Sequence, residues 1–174
     1  MAADNVSLMG HTPEDLRALS ESREAYERRV GRALAEGVRE FMIGPEVSPA
    51  FLEQLETSSE TDPWRDGFGV LHLVDNVIIG LCSYGGPPGD DGAVEISYGV
   101  SPAYQGRGYA TEVAQLLIER AVATAQVRVL RAHTLPESNA STRVLEKCGF
   151  KFAGEIVDPE DGLIGRWELP LAAG

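Results

Sequence analysis

The segment Ser101-Pro102-Ala103-Tyr104-Gln105-Gly106-Arg107-Gly108-Tyr109-Ala110-Thr111 carries the most specific chemical pattern in the chain. It follows an apolar run, Ala93 to Val100. It precedes a helical pattern with Ala110, Val113, Ala114, Leu117 and Ala121 on one face and Glu112, Gln115 and Glu119 on the other. Strand, glycine turn and helix start are the parts of an anion cradle. Glycines let backbone N–H groups approach a phosphate, and the helix dipole adds partial positive charge. The expected ligand is a phosphate or pyrophosphate, and Thr111 can add a hydroxyl in the first turn. The segment has no lysine for the GxxxxGK[ST] loop, and it does not complete GxGxxG. Gly106 and Gly108 equally suit a tight turn with positive φ, but that turn and the cradle require the same geometry.

A second chemical group is Glu95, set in the otherwise apolar strand Ala93-Val94-Glu95-Ile96-Ser97-Tyr98. Desolvation there would raise its pKa and suit it to general-base work. The alternative is a solvent-facing or ion-paired carboxylate.

Several elements must position these groups. Thr12-Pro13-Glu14-Asp15 reads as a capped helix start near Pro13. Leu16 and Leu19, then Tyr26, Val30, Leu34 and Val38 at steps of four and Phe41 three further on, predict a helical first third, with a further short turn from Ser48-Pro49 through Phe51, Leu52 and Leu55. After Trp64 the pattern changes to strands. Phe68–Val74 and Val77–Tyr84, joined at Asp75-Asn76, predict an antiparallel hairpin. Gly85 to Gly92 can hold neither helix nor strand and reads as a loop, either a connector or the border of a site. Val127–Leu135 predicts a strand. Pro136 to Phe150 predicts a helix capped by Ser138 or Asn139, with Val144, Leu145 and Cys148 inward and Gly149 at its end.

Composition narrows the setting. With 174 residues, 43% hydrophobic and 24% charged, the chain reads as one globular domain. A domain of this size hides roughly 70% of the surface of its unfolded chain. No apolar stretch approaches the ~20 residues of a membrane span, and Met1 to Gly10 lacks the features of a secretory signal, so a cytoplasmic location is expected. Cys82 and Cys148 belong to no ligand cluster and read as small buried residues, so no metal is expected. Fifteen basic against 27 acidic side chains give a formal charge of -12, the wrong sign for a nucleic-acid partner. The acidic surface either attracts cationic substrates such as amines or serves solubility alone.

Gln105, Arg107, Gly108 and Ala110 match the Q/RxxGxG/A signature of the GNAT superfamily of acyl-CoA-dependent N-acyltransferases. Downstream, Asn139, Ala140-Ser141 and the Arg143-Val144-Leu145-Glu146-Lys147-Cys148-Gly149-Phe150 run resemble its second motif. The form is that of the ribosomal-protein N-terminal acetyltransferase (RimJ/RimL-like) branch. The order of elements from Val70 to Leu169 resembles the whole GNAT core. The resemblance implies an α/β (α+β) fold: a mixed, strongly twisted sheet flanked by helices, whose fourth and fifth strands, those of Glu95 and His133, splay apart around the pantetheine arm of acetyl-CoA. It implies a single domain over 1–174, with a helical acceptor-side region at 1–64 and an acetyl-CoA-binding core at 65–170.

It also implies roles. Backbone N–H groups from Gly106 through Arg107, Gly108 and Tyr109 to Ala110 receive the pyrophosphate, with Gln105 and Thr111 at the flanks. Val100 offers its backbone to the pantetheine amides, or is only a core valine. Ser138 stands where the branch commonly has asparagine and Asn139 is one residue late, so either contacts the pantetheine while the other caps the helix. His133, where some relatives carry a catalytic carboxylate, rivals Glu95 as base, or is a hydrogen-bonded strand histidine. Leu145 replaces the tyrosine that many GNAT enzymes use to protonate the thiolate. The branch suggests Ser141 instead, unless that serine only bonds backbone.

The expected activity is transfer of an acetyl group from acetyl-CoA to a primary amine, such as a protein N-terminus or a small amine, by direct attack in a ternary complex. The chain would act as a monomer or homodimer with no membrane partner. The alternative is a non-catalytic acyl-CoA-binding module.

Overall fold

The computed structural model describes residues 5–39, 63–134, 140–159 and 162–171. Its strands are β1 (Val6–Gly10), β2 (Ala33–Leu34), β3 (Phe68–His72), β4 (Val77–Tyr84), β5 (Ala93–Val100), β6 (Val129–Thr134), β7 (Lys151–Asp158) and β8 (Gly162–Pro170). Its helices are α1 (Pro13–Glu21), α2 (Arg23–Val30), α3 (Pro63–Asp66), α4 (Tyr109–Thr124) and α5 (Ala140–Lys147). The strands form a mixed sheet in the hydrogen-bonding order β1-β3-β4-β5-β6-β8-β7, with β2 parallel to β4. The chain divides into two compact units, Met1–Ser83 with Tyr98–Tyr109, and Tyr84–Ser97 with Ala110–Gly174.

In the first unit, α1 begins as its sequence dictates. Thr12 Oγ1 accepts from the Asp15 N–H at 3.1 Å, and the Asp15 carboxylate accepts from the Thr12 N–H at 2.9 Å. This reciprocal box satisfies two N–H groups that the first turn leaves without helical acceptors. Leu16, Leu19 and Tyr26 bury one side of α1 and α2 in a cluster with Leu34, Val38, Leu71 and Ile78.

The expected helical first third needs correction at both ends. Val6–Gly10 is a strand, antiparallel to β3 with Val6 opposite His72. The run from Tyr26 through Val30 stops at Gly31, whose φ of +72° makes a left-handed cap, and Leu34 lies in β2 opposite Ile78. The four-residue spacing survives the break because a buried strand residue and a buried helix residue satisfy the same apolar pattern. Phe41 and the turn at Ser48 to Leu55 lie outside the described residues.

The β3–β4 hairpin forms as predicted, with Asn76 at its turn in the left-handed region at φ +56°. Gly67, just before β3, has φ +70°. A Cβ there would stand 2.8 Å from the Cys82 carbonyl oxygen, so only glycine fits.

In the second unit, β6 and β8 pair antiparallel with His133 opposite Arg166, and β7 returns alongside β8. The parallel ladder between β5 and β6 covers only Ala93↔Val129, Val94↔Leu130 and Glu95↔Arg131. Beyond Glu95 these two strands, fully described, share no further pair, which is the divergence the sequence reading expects. The predicted α4 face is buried at Val113, Ala114, Leu117 and Ala121, and the Tyr84 hydroxyl donates to the Leu117 carbonyl. Helix α5 ends at Lys147, and Gly149 follows it with a φ of +91°.

Candidate active site

The segment expected to cradle an anion lies where β5 runs into α4. A single 3₁₀ turn, Pro102–Tyr104, redirects the chain after Val100. The Gln105 amide donates to the Val100 carbonyl at 2.9 Å, closing the turn on itself. Gly106 and Gly108 follow with φ +77° and +87°, and among the described residues a Cβ built on either meets no heavy atom within 4 Å. Protein packing therefore does not exclude a side chain here, and the backbone conformation alone does. Gly108 directly precedes α4, whose first N–H groups have no helical acceptor. Backbone donors, a dipole and open space are the features an oxyanion of a diphosphate requires.

This loop is braced within its own unit. The Arg107 guanidinium lies over the Tyr104 ring, 5.6 Å from its centre, and the Tyr104 hydroxyl donates to Asp75 Oδ2 at 2.8 Å. That bond to the Asp75 carboxylate pushes the Tyr104 pKa up. His72, buried at the end of β3, accepts from the Asp75 N–H at Nδ1 (3.1 Å), so the proton is on Nε2, which faces the Tyr109 hydroxyl at 2.9 Å. Sequence reasoning missed His72, Asp75 and Tyr104 as supports. His72 and Asp75 reach the loop from the end of β3 and the turn after it, and no local spacing signals their contacts with Tyr109 and Tyr104.

The remaining predicted donor-binding residues fall as follows. Val100 is buried, and its carbonyl is already engaged by Gln105. Ala110 and Thr111 occupy the first turn of α4, where the Thr111 carbonyl accepts from the half-buried Cys148 thiol at 3.8 Å. Burial pushes the Cys148 thiol up, which keeps it protonated, and Cys82 is buried. Ser138 and Asn139 lie outside the described residues. Ser141 lies in the first turn of α5, and Leu145, in the place of the usual tyrosine, is buried in the interior.

The second constellation lies on one face of the sheet in the second unit. Along β5, Val94 and Ile96 are buried while Glu95 is exposed. The desolvated carboxylate expected at Glu95 is therefore corrected: strand alternation sends its side chain to the face opposite the apolar neighbours. What Glu95 has instead is a partner. His133, placed on the same face by β6, is hydrogen-bonded through Nδ1 to Glu95 Oε1. Arg166 Nε donates to His133 Nε2 at 3.3 Å. The two rivals for the role of base are thus joined, and Arg166 is the group sequence reasoning missed. Beside them Arg131 Nε donates to Glu168 at 2.6 Å, with Asp91 3.5 Å from its Nη1. Backbone donation from Ala93, first, and the Arg131 charge hold the Asp91 carboxyl low. Among the described residues no three His, Cys, Asp or Glu side chains are grouped to hold a metal ion, and no helix is long and apolar enough to cross a membrane.

Comparison with known proteins gives the family of the chain. The model of the acetyltransferase (GNAT) domain family matches residues 6–151, so the chain belongs to the GNAT acetyltransferases. It is 29% identical over 105 residues to the uncharacterised N-acetyltransferase YjdG of Bacillus subtilis, covering 60% of this chain and 62% of that protein. It is 26% identical over 93 residues to the uncharacterised N-acetyltransferase p20 of Bacillus licheniformis, covering 53% of this chain and about half, 52%, of that protein. A GNAT-family acetyltransferase from Bacillus anthracis superposes with a TM-score of 0.66 at 18% identity, over 98% of this chain and 97% of that one. RimL, a ribosomal L7/L12 alpha-N-protein acetyltransferase solved with coenzyme A, does so with a TM-score of 0.66 at 14% identity, over 100% and 98%.

Proposed function

We propose that this GNAT acetyltransferase moves the acetyl group of acetyl-CoA to a primary amine by direct attack within a ternary complex. The observation that carries the reading is the glycine turn set directly before α4, with Gly106 at φ +77° and Gly108 at φ +87°. There the N–H groups from Gly106 to Ala110 would receive the pyrophosphate, with Gln105 bracing the turn from behind and Thr111 adding a hydroxyl. Val100 and one of Ser138 and Asn139 would meet the pantetheine.

Amide formation needs a neutral amine, a polarised thioester carbonyl and a protonated thiol leaving group. Glu95, supported by His133, would take the proton from the amine, directly or through one water. Ser141 would supply the proton to the departing thiolate. No step requires a metal. The acceptor would be a protein N-terminus, as in the RimJ/RimL-like branch, or a small amine, with residues 1–64 shaping its side of the site and the cytoplasm as the setting. The buried Leu145, which cannot donate a proton, favours a second reading: an acyl-CoA-binding module without turnover.

Titration calorimetry with acetyl-CoA tests the cradle. One molecule should bind per chain and raise the melting temperature. A Gly108→Val variant that still folds should lose this binding, because a branched side chain both fills the open space and disfavours φ +87°. Unchanged binding in a folded variant overturns the assignment.

A further inference from the structure

We infer that Arg166 is a positioning residue for proton acceptance at Glu95, acting through His133. The inference rests on the transferase reading above. It starts from the order of donors and acceptors along Arg166, His133 and Glu95, contributed by β8, β6 and β5. A guanidinium donates only, so Arg166 Nε can bond His133 Nε2 only where that nitrogen carries a lone pair. The imidazole proton is then on Nδ1, aimed at Glu95 Oε1. The ring is neutral and donates one hydrogen bond to the carboxylate instead of neutralising it as an imidazolium. Within this trio a proton arriving from the amine has one vacant place, the Glu95 carboxylate, and the Arg166 charge opposes its passing to the far side of the ring.

The surroundings do not replace Arg166 in this role. On β6 itself Arg131 is committed to Glu168 of β8 and to Asp91 before β5. The charged groups of α5, which packs against β6, are Arg143, Glu146 and Lys147, all exposed. The sequence offers no hint of the pair, since His133 and Arg166 meet only through the antiparallel register of β6 and β8.

The test compares the full-length protein with Arg166→Met and Arg166→Lys, after melting temperature and acetyl-CoA binding show that each folds. Nitrogen-15 NMR of the imidazole of His133, identified by its loss in His133→Gln, should show an unprotonated Nε2 in the wild type at neutral pH. In Arg166→Met, which takes the donor away from Nε2, the neutral ring should lose its strict preference for the Nδ1-protonated form. Turnover of acetyl-CoA is then followed against pH with an alanyl peptide, spermidine and a free amino acid as acceptors. The acid limb of kcat/KM should move up by about one unit in Arg166→Met, with kcat near neutral pH down by about tenfold and KM for acetyl-CoA unchanged. Arg166→Lys, which keeps donor and charge, should restore most of it.

An Nε2-protonated neutral ring in the wild type, or an acid limb that stays in place in Arg166→Met, overturns the inference and leaves the transferase reading standing. Absence of turnover with every amine overturns both.

Discussion

At the scale of single residues, the central point is that Glu95 and His133 are not alternatives. The strand alternation of β5 and the register of β6 put both on one face, where they share a hydrogen bond. Their loss should nevertheless be unequal. Glu95→Gln removes the only carboxylate of the trio and should lower amine-dependent turnover by ~100-fold to 10,000-fold. His133→Gln removes a neutral donor that orients that carboxylate, and should cost less, on the order of tenfold. Acetyl-CoA binding and melting temperature should stay close to wild type in both. If His133→Gln loses turnover while Glu95→Gln keeps it, the roles are reversed. The identities of both residues were legible in the sequence, but their partnership was not. Strand alternation alone would have placed Glu95 opposite Val94 and Ile96, and reading those neighbours as its surroundings was the error. Arg166 had no local signal at all, because its partner is contributed by a distant strand.

At the scale of elements, the glycine turn and both its flanks could be read from sequence because the strand, the turn and α4 each carry a local pattern. Helix α1 was legible for the same reason, through Thr12, Pro13 and Asp15. Strands β1 and β2 were not, since each is short and is fixed by its partner more than by its own residues. The join of β1 to α1 hides a further device. His11, just after β1, is buried with its Nε2 2.7 Å from the Tyr26 hydroxyl of α2. Burial, only partly offset by Asp15, pushes the His11 pKa down to about 4, and burial likewise pushes that of Tyr26 up.

A histidine with a folded pKa below its unfolded value of 6.5 binds its proton more readily in the unfolded chain. Its contribution is therefore complete above about pH 6.5 and falls as pH drops towards about 4. Denaturant unfolding at pH 7.5 and pH 5 should show wild type losing about 2 kcal/mol more than His11→Gln over that interval. Equal losses in the two proteins would remove His11 from the account.

At the scale of the whole molecule, the match over residues 6–151 makes the chain a GNAT acetyltransferase, and the eight-stranded mixed sheet agrees. That architecture was legible because its two motifs come in order on elements with clear periodicity. The acceptor was not, because nothing between Met1 and Trp64 carries a recognisable chemical spacing. The most direct measurement of the central claim is release of free CoA from acetyl-CoA, with and without primary amines, with the acetylated product identified by mass. The predicted result is slow release by the protein alone, faster release with at least one amine, and one acetyl group gained by that amine for each CoA freed. Tight acetyl-CoA binding with no amine-dependent release across protein N-termini, polyamines and amino acids would contradict it and identify the chain as a binding module.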